Sequence, residues 1–372
     1  MKKILFLSMV GLAMLFATAC SDDEPKELTK QEAENVLNNV NTEMSQTMGQ
    51  MMETEGMTAM NSFMTLSAYF STAKSISFQF INPVYLANKV MDVKLNTNSF
   101  VKAPAVEDQG LVFEEWVGTW EWVSSSQTWK YTANETNRIV FKYPATVEST
   151  TNDATLVLSN YSSVTIGTEV IPTSLNVTLN ISWVEQTALA ITYQAAFTTE
   201  GFPQMLSLDV QMSQFSLTVL ANVQERTNDV VVHFSHQLKN QSVVAMSSDL
   251  EAVIPNITEF DPNEDYIPST LKGFLQLGSL KVTADLKVID FYTSTINGTP
   301  SSIAASANSN LKVAMYTYPQ NEMLAHIKWV YNMEYNPQYD DDLPLIPYIV
   351  FSDGSEALLE TYLTTLSTLP LK

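Results

Sequence analysis

Four of the six tryptophans of this 372-residue chain fall between Trp116 and Trp129. Trp116, Gly118, Trp120 and Trp122 keep one parity, so in a strand they share a face, with Trp129 and Tyr131 expected on the partner strand. Such a face is either an aromatic plug in a core or an exposed platform for a sugar ring or an apolar ligand. Trp116, Trp120 and Trp122 are therefore the candidate ligand-binding residues. Glu114, Glu115 and Glu121 lie near them in the chain. Glu121 has the opposite parity to Trp120 and Trp122, so it should not line the same face, and a carboxylate pair for glycoside hydrolysis is a matter of folding, not of spacing.

The other candidates are less organised. His233 and His236 are three apart on an expected strand, so they face opposite sides and cannot share a metal; His326 is distant. Neither His-Glu-x-x-His nor Gly-x-Ser-x-Gly occurs, so the familiar metalloprotease and esterase signatures are missing. Seven of the seventeen methionines lie between Met44 and Met64. No Cys or His is interleaved with them, so they read as flexible apolar packing, or as an adaptable groove, before they read as copper(I) ligands. Asp261, Asn263 and Asp265 alternate as in a calcium loop, but Tyr266 and Lys272 stand where the turn glycine and the closing glutamate belong. Asp340, Asp341 and Asp342 read as a solvated loop. No metal site and no cofactor is assigned.

Only one cysteine occurs, Cys20. Before it come Lys2 and Lys3, an apolar run from Ile4 to Phe16, and the small residues Ala17, Thr18 and Ala19. This order predicts a secretory signal, too short to span a membrane as a mature helix. Small residues ending in cysteine resemble the lipobox of bacterial lipoproteins. The resemblance implies that residues 1–19 are removed and that Cys20 is acylated, with palmitate or a similar chain. Ser21, Asp22, Asp23 and Glu24 resemble the short acidic export signal of lipoproteins that Bacteroidota-type bacteria move to the cell surface. That resemblance implies an outer-membrane location facing the cell exterior, as against an anchor facing the periplasm. Gly118-Thr119-Trp120 is similar to the Gly-x-Trp start of lipocalin and other calycin barrels, although the closing arginine of that family cannot be placed here.

Charge bounds the partners. The chain carries 19 basic and 40 acidic side chains, a net charge of −21. Removing residues 1–19 takes away two lysines and leaves −23. Such a surface repels phosphate, so no nucleic acid is expected, and it gives a lipid anchor no help from a basic patch. Once the only thiol is acylated there is no disulfide, no cysteine nucleophile and no thiolate metal site. A chain that is 45% apolar is long enough to be held by its core. No later apolar run is long enough for a transmembrane helix, and a transmembrane barrel would make the anchor redundant.

The elements follow from periodicity. Thr29 and Glu32 form a capping box, and Ala33, Leu37, Val40, Met44, Met48 and Met51 recur at helical steps. Gly56 interrupts the pattern, and Met57, Met60, Phe63 and Met64 resume it, which predicts two helices or one kinked helix over 30–73. From 111 the period becomes two. Leu175 to Trp183 and Leu189 to Phe197 pair about a turn at Glu185–Thr187. The phase slip near Ser213 and Gln214 marks a bulge or a tight turn. Further strands are expected at 272–283, 285–293, 311–318, 323–333 and 348–351. Asp353 and Glu356 would cap a last helix bearing Leu359, Leu363 and Leu366.

The expected fold is α+β: a large, twisted, mainly antiparallel sheet or open barrel, with Met-rich N-terminal helices and a C-terminal helix packed on its apolar face. The organisation is a signal peptide (1–19), a lipidated tether (20–30), a helical segment (31–75), a main β region (76–255) and a second β region ending in a helix (256–372). The expected function is a non-catalytic surface lipoprotein that binds a ligand or partner. The alternatives are a secreted glycan-active hydrolase and a carrier of an apolar small molecule.

Overall fold

Alternation of apolar and polar residues over long stretches makes strands with one dry face, and such strands dominate the sixteen found among the described residues. The computed structural model describes residues 26–70, 113–166, 169–198, 203–255, 268–295, 298–334 and 344–362. Helices α1 (Lys30–Met52) and α2 (Glu55–Ser67) come first, and a single helical turn, α3 (Phe113–Trp116), precedes the sheet. The first strands are β1 (Gly118–Val123), β2 (Thr128–Thr132), β3 (Ile139–Tyr143), β4 (Ala154–Ile166), β5 (Glu169–Ile181) and β6 (Leu189–Phe197). They are followed by β7 (Pro203–Met212), β8 (Phe215–Glu225), β9 (Asp229–Asn240), β10 (Val243–Pro255), β11 (Thr270–Leu277) and β12 (Leu280–Lys287). Helices α4 (Val288–Thr295) and α5 (Pro300–Asn310) separate β12 from β13 (Leu311–Thr317), β14 (Met323–Tyr331), β15 (Leu345–Phe351) and β16 (Glu356–Leu358).

All sixteen strands form one sheet, in the order β16 down to β3, then β1 and β2. Neighbours are antiparallel except β1 and β3, which run parallel, and the sheet does not close on itself. Register keeps one face dry from end to end. Leu158, Val177, Ile191, Val210, Leu217, Leu238, Met246, Leu277 and Leu280 are successive partners across β4 to β12. All are buried except Leu277, which is half-buried. A slip of one residue in any of these strands would turn its apolar set to water, so the pattern itself fixes the pairing.

The helices cross this dry face near one end of the strands. Successive turns of a meander alternate ends, so the β3–β4, β5–β6, β7–β8, β9–β10, β11–β12 and β13–β14 connections share an end. The helices run past them in turn. Leu28 N donates to Met323 O and Met323 N to Lys26 O, at the start of β14. Glu43 accepts from Ser279 N (2.7 Å) and Ser279 Oγ (3.1 Å) at the β11–β12 turn. Asn240 Nδ2 donates to Gln50 Oε1 at 2.8 Å. Gly56 lies so close to the β5–β6 turn that a Cβ there would meet Ala188 O at 2.5 Å. Ser62 Oγ donates to Pro144 O (2.6 Å), and Trp129 Nε1 donates to Leu66 O (3.0 Å). The Thr29–Glu32 capping box forms as expected. The interrupted stripe is two helices, because Thr54 caps the second one immediately after the first ends.

Four local expectations are corrected. Trp116 sits in α3 and not on the strand with Trp120 and Trp122, because Gly118, at φ 138°, breaks the run before β1 begins. Trp183 does not continue the dry face of β5; it lies in the turn after Ile181 and is 57% exposed. The strand expected at 285–293 ends at Lys287 and becomes α4, and α5 follows; Val288, Phe291, Ile303 and Ala307 supply their buried sides. Asp353 and Glu356 do not open a helix. Asp353 Oδ1 accepts from Ser355 N in a turn, and Glu356 starts β16, with helical residues only from 360. Leu363 and Leu366 lie outside the described residues. At Ser213–Gln214 the slip is a tight turn joining β7 to β8, with Ser213 at φ 51°.

Candidate functional site

The dry face of the sheet carries a polar pair in its middle. Val219, His236, Ser248, Leu275 and Val282 are successive cross-strand partners on β8 to β12. His236 and Ser248 therefore project inward, among apolar neighbours, on adjacent strands. Their contact is short, with Ser248 Oγ 2.5 Å from His236 Nδ1. The other ring nitrogen, Nε2, is enclosed and has no hydrogen-bond partner among the described residues. Burial disfavours the imidazolium, and the His236 pKa is pushed down to about 4. At neutral pH the ring is uncharged. If the serine hydroxyl donates to Nδ1, Nε2–H is a free donor; if Nδ1–H donates, Nε2 is a free acceptor.

The surroundings of this pair set what it can do. Phe234 and Val219 beside it are buried, and the Phe234 ring lies 5.9 Å from the imidazole. Leu250, Leu275 and Val282 are only half-buried, so the apolar wall next to the pair is not fully covered. On β7 to β12 Asp209, Asp249, Glu251 and Asp285 point to the opposite face by register, while Glu225, in phase with Val219, is exposed at the far end of β8, six residues along the strand. On that opposite face Asp249 meets His233 Nε2 at 2.8 Å and Asp285 meets Lys272 at 3.6 Å. A neutral His–Ser pair in an apolar wall can orient one hydrogen-bonding group of a molecule whose remainder is apolar.

The tryptophans expected to form a site are brought together, but inside the core. Trp120 and Trp122 share one face of β1 as parity requires, and Trp116 reaches the same cluster from α3. Phe70 stands edge-on to Trp116 and Trp120 and stacks on Trp129 at 4.8 Å and 12°. Trp120 Nε1 donates to Trp116 O at 2.9 Å. Trp116, Trp120 and Trp122 are all buried. Glu114, Glu115 and Glu121 are exposed, with Glu121 on the far face of β1.

His233 and His236 do face opposite sides, and His326 is exposed on β14. Among the described residues, no three His, Cys, Asp or Glu side chains come together as a metal site. Cys20, Ser21, Asp22, Asp23 and Glu24 lie outside the described residues, as do Asp261, Asn263, Asp265 and Asp340–Asp342. Sequence reasoning missed the His236–Ser248 pair. Its only trace is a histidine standing in the phase that Phe234 and Leu238 share, one polar residue in an otherwise apolar register.

Comparison with known proteins found no family model, no curated protein and no solved structure that matches the chain.

Proposed function

We propose that the chain is a surface-exposed lipoprotein of the outer membrane that binds, without catalysis, an apolar molecule bearing a single hydrogen-bonding group. The observation that carries the binding reading is the enclosed, unpaired Nε2 of His236 beside the half-buried Leu250, Leu275 and Val282. A buried polar atom without a partner costs free energy, and a ligand hydroxyl or carbonyl at that point would recover it. The anchoring reading is supported by how close to Cys20 the sheet holds the chain: Lys26 and Leu28, six and eight residues after it, are bonded to Met323. The lipid and the folded body would thus be separated by only a short tether. The glycan-active alternative draws on the Trp116, Trp120 and Trp122 face, whose rings are packed against Tyr69, Phe70 and Phe141.

Dodecanol and dodecanoic acid are the probes, read by the His236 ring resonances in NMR. Saturable shifts of the His236 ring are expected in the parent, together with saturable binding by calorimetry that His236→Phe weakens without loss of the fold. Shifts confined to surface residues, or none, would reject the site. Mass spectrometry of the mature protein tests the anchor, which requires an acylated Cys20 as the first residue. Protease shaving of intact cells tests the location. Replacing Asp22, Asp23 and Glu24 by alanine should lower exposure while leaving the lipid in place.

A further inference from the structure

The connections at the helix-bearing end of the sheet carry exposed apolar side chains out of proportion to their short, polar turns. Trp183 in the β5–β6 turn is 57% exposed, Val147 in the β3–β4 connection 50%, and Val243 at the β9–β10 turn 67%. Met52, at the end of α1, is exposed at the same end. Trp183 is the one tryptophan exposed to this degree. Trp116, Trp120, Trp122 and Trp329 are buried, and Trp129 is half-buried. None of these four exposed groups is needed to close the dry face, which the helices cover from inside.

The chain also enters at this end. Lys26 and Leu28 bond to Met323, the first residue of β14, at the β13–β14 connection. Cys20 is six residues earlier, within about 20 Å at about 3.3–3.6 Å per extended residue. From β14 to the β5–β6 turn is eight strands further along the sheet, about 40 Å measured along it at about 4.8 Å per strand. An acyl chain near β14 would leave Trp183, well along the same end, as a second point of contact.

We infer that this end of the sheet is a membrane-contacting surface: Trp183, Val147, Val243 and Met52 enter the interfacial layer of a zwitterionic bilayer. The inference rests on the proposed acylation of Cys20 for its first point of attachment. A tryptophan suits the headgroup boundary because its ring is apolar and its N–H can stay hydrated. Charge selects the lipid. Glu53, Glu148 and Glu185 flank the apolar groups and are exposed, so an anionic headgroup layer would repel this end. The opposite end carries Ile289 and Tyr292 on α4 and Met333 after β14, also exposed, and these would point away from the bilayer.

The test is quenching of tryptophan fluorescence by brominated phosphatidylcholine, with the mature full-length protein in vesicles. Trp183→Phe identifies the Trp183 component. That component should fall about twofold or more in brominated vesicles, since bromine quenches only rings at membrane depth. The quenching should weaken when half the lipid is phosphatidylglycerol, and Ile289→Ser should leave it unchanged. An acylated protein whose Trp183 emission is unquenched would overturn the inference and leave the anchor standing. If mass spectrometry finds Cys20 unmodified, the anchor reading fails. Adding the same vesicles to that protein then decides the surface by itself: quenching of Trp183 supports it, and no quenching overturns it.

Discussion

Replacing His236 by phenylalanine should change how stability depends on pH, and the size of the change follows from burial. The imidazole has an ordinary pKa near 6.5, and the native environment pushes it down to about 4. Between those values the unfolded chain binds a proton that the native protein does not. Stability therefore falls as pH drops through this window, and nothing is lost above it. At about 1.4 kcal/mol per pH unit the full effect is about 3 kcal/mol below pH 4, and about 2 kcal/mol is already lost at about pH 5. His236→Phe removes the titration. It also leaves the Ser248 hydroxyl without its partner, a cost of about 1–3 kcal/mol that does not vary with pH. The readout is thus the change in the difference between the two proteins, not the difference at one pH. Urea unfolding from about pH 7.5 to about pH 5 should show the variant gaining about 2 kcal/mol relative to the parent. Carboxylates, His233 and His326 are common to both proteins and cancel. Parallel pH profiles would refute the reasoning, because they would mean that His236 can be protonated in the native state without penalty.

Met44→Ala should cost about 2–4 kcal/mol in chemical unfolding, because Met44 is 3% exposed, whereas half-buried Met48 should cost clearly less when truncated. Gly56→Ala should destabilise by about 1–3 kcal/mol, since the added methyl would meet Ala188 O at 2.5 Å and push α2 off the β5–β6 turn. Glu43→Ala should cost about 1–3 kcal/mol by removing the carboxylate that receives Ser279 N and Oγ, with α1 losing hydrogen-exchange protection first. Trp120→Ala should cost about 3–5 kcal/mol, and added glycans should leave the parent's tryptophan fluorescence unchanged; saturable quenching by a glycan would show that this cluster opens to ligand.

Much of the architecture was legible because it is local. The Thr29–Glu32 box and the methionine stripe marked α1 from hydrogen-bond and period rules that act within a few residues. Leu175–Leu179 and Leu189–Ile191 announced their pairing because strict alternation permits one register. The α+β class, with a large and mostly antiparallel sheet, follows from those two periods alone. Where the signal failed, local preference was weak. Val288–Thr295 has enough β-branched residues to read as a strand, and it is helical because Val288 and Phe291 find a buried surface only in that shape. Asp353 and Glu356 have cap spacing, yet Glu356 to Leu358 adds to the edge of β15, where strand hydrogen bonds replace those of a helix.

The sequence by itself determined the dry and wet faces, the helical stripe, the acidic charge and the basic–apolar–cysteine order at the N-terminus, since each is a property of residue type and spacing along the chain. Tertiary structure alone decided the rest. Parity could say that Trp120 and Trp122 share a face, but only the arrival of Tyr69 and Phe70 from a distant segment buried it. Spacing could say that His236 faces away from His233. Only strand pairing set Ser248 opposite it and left Nε2 enclosed, because burial and hydrogen bonding depend on neighbours that are remote in sequence. The gathering of Trp183, Val147 and Val243 at the end where Lys26 and Leu28 bond to β14 is likewise a consequence of which turns the meander brings to one side.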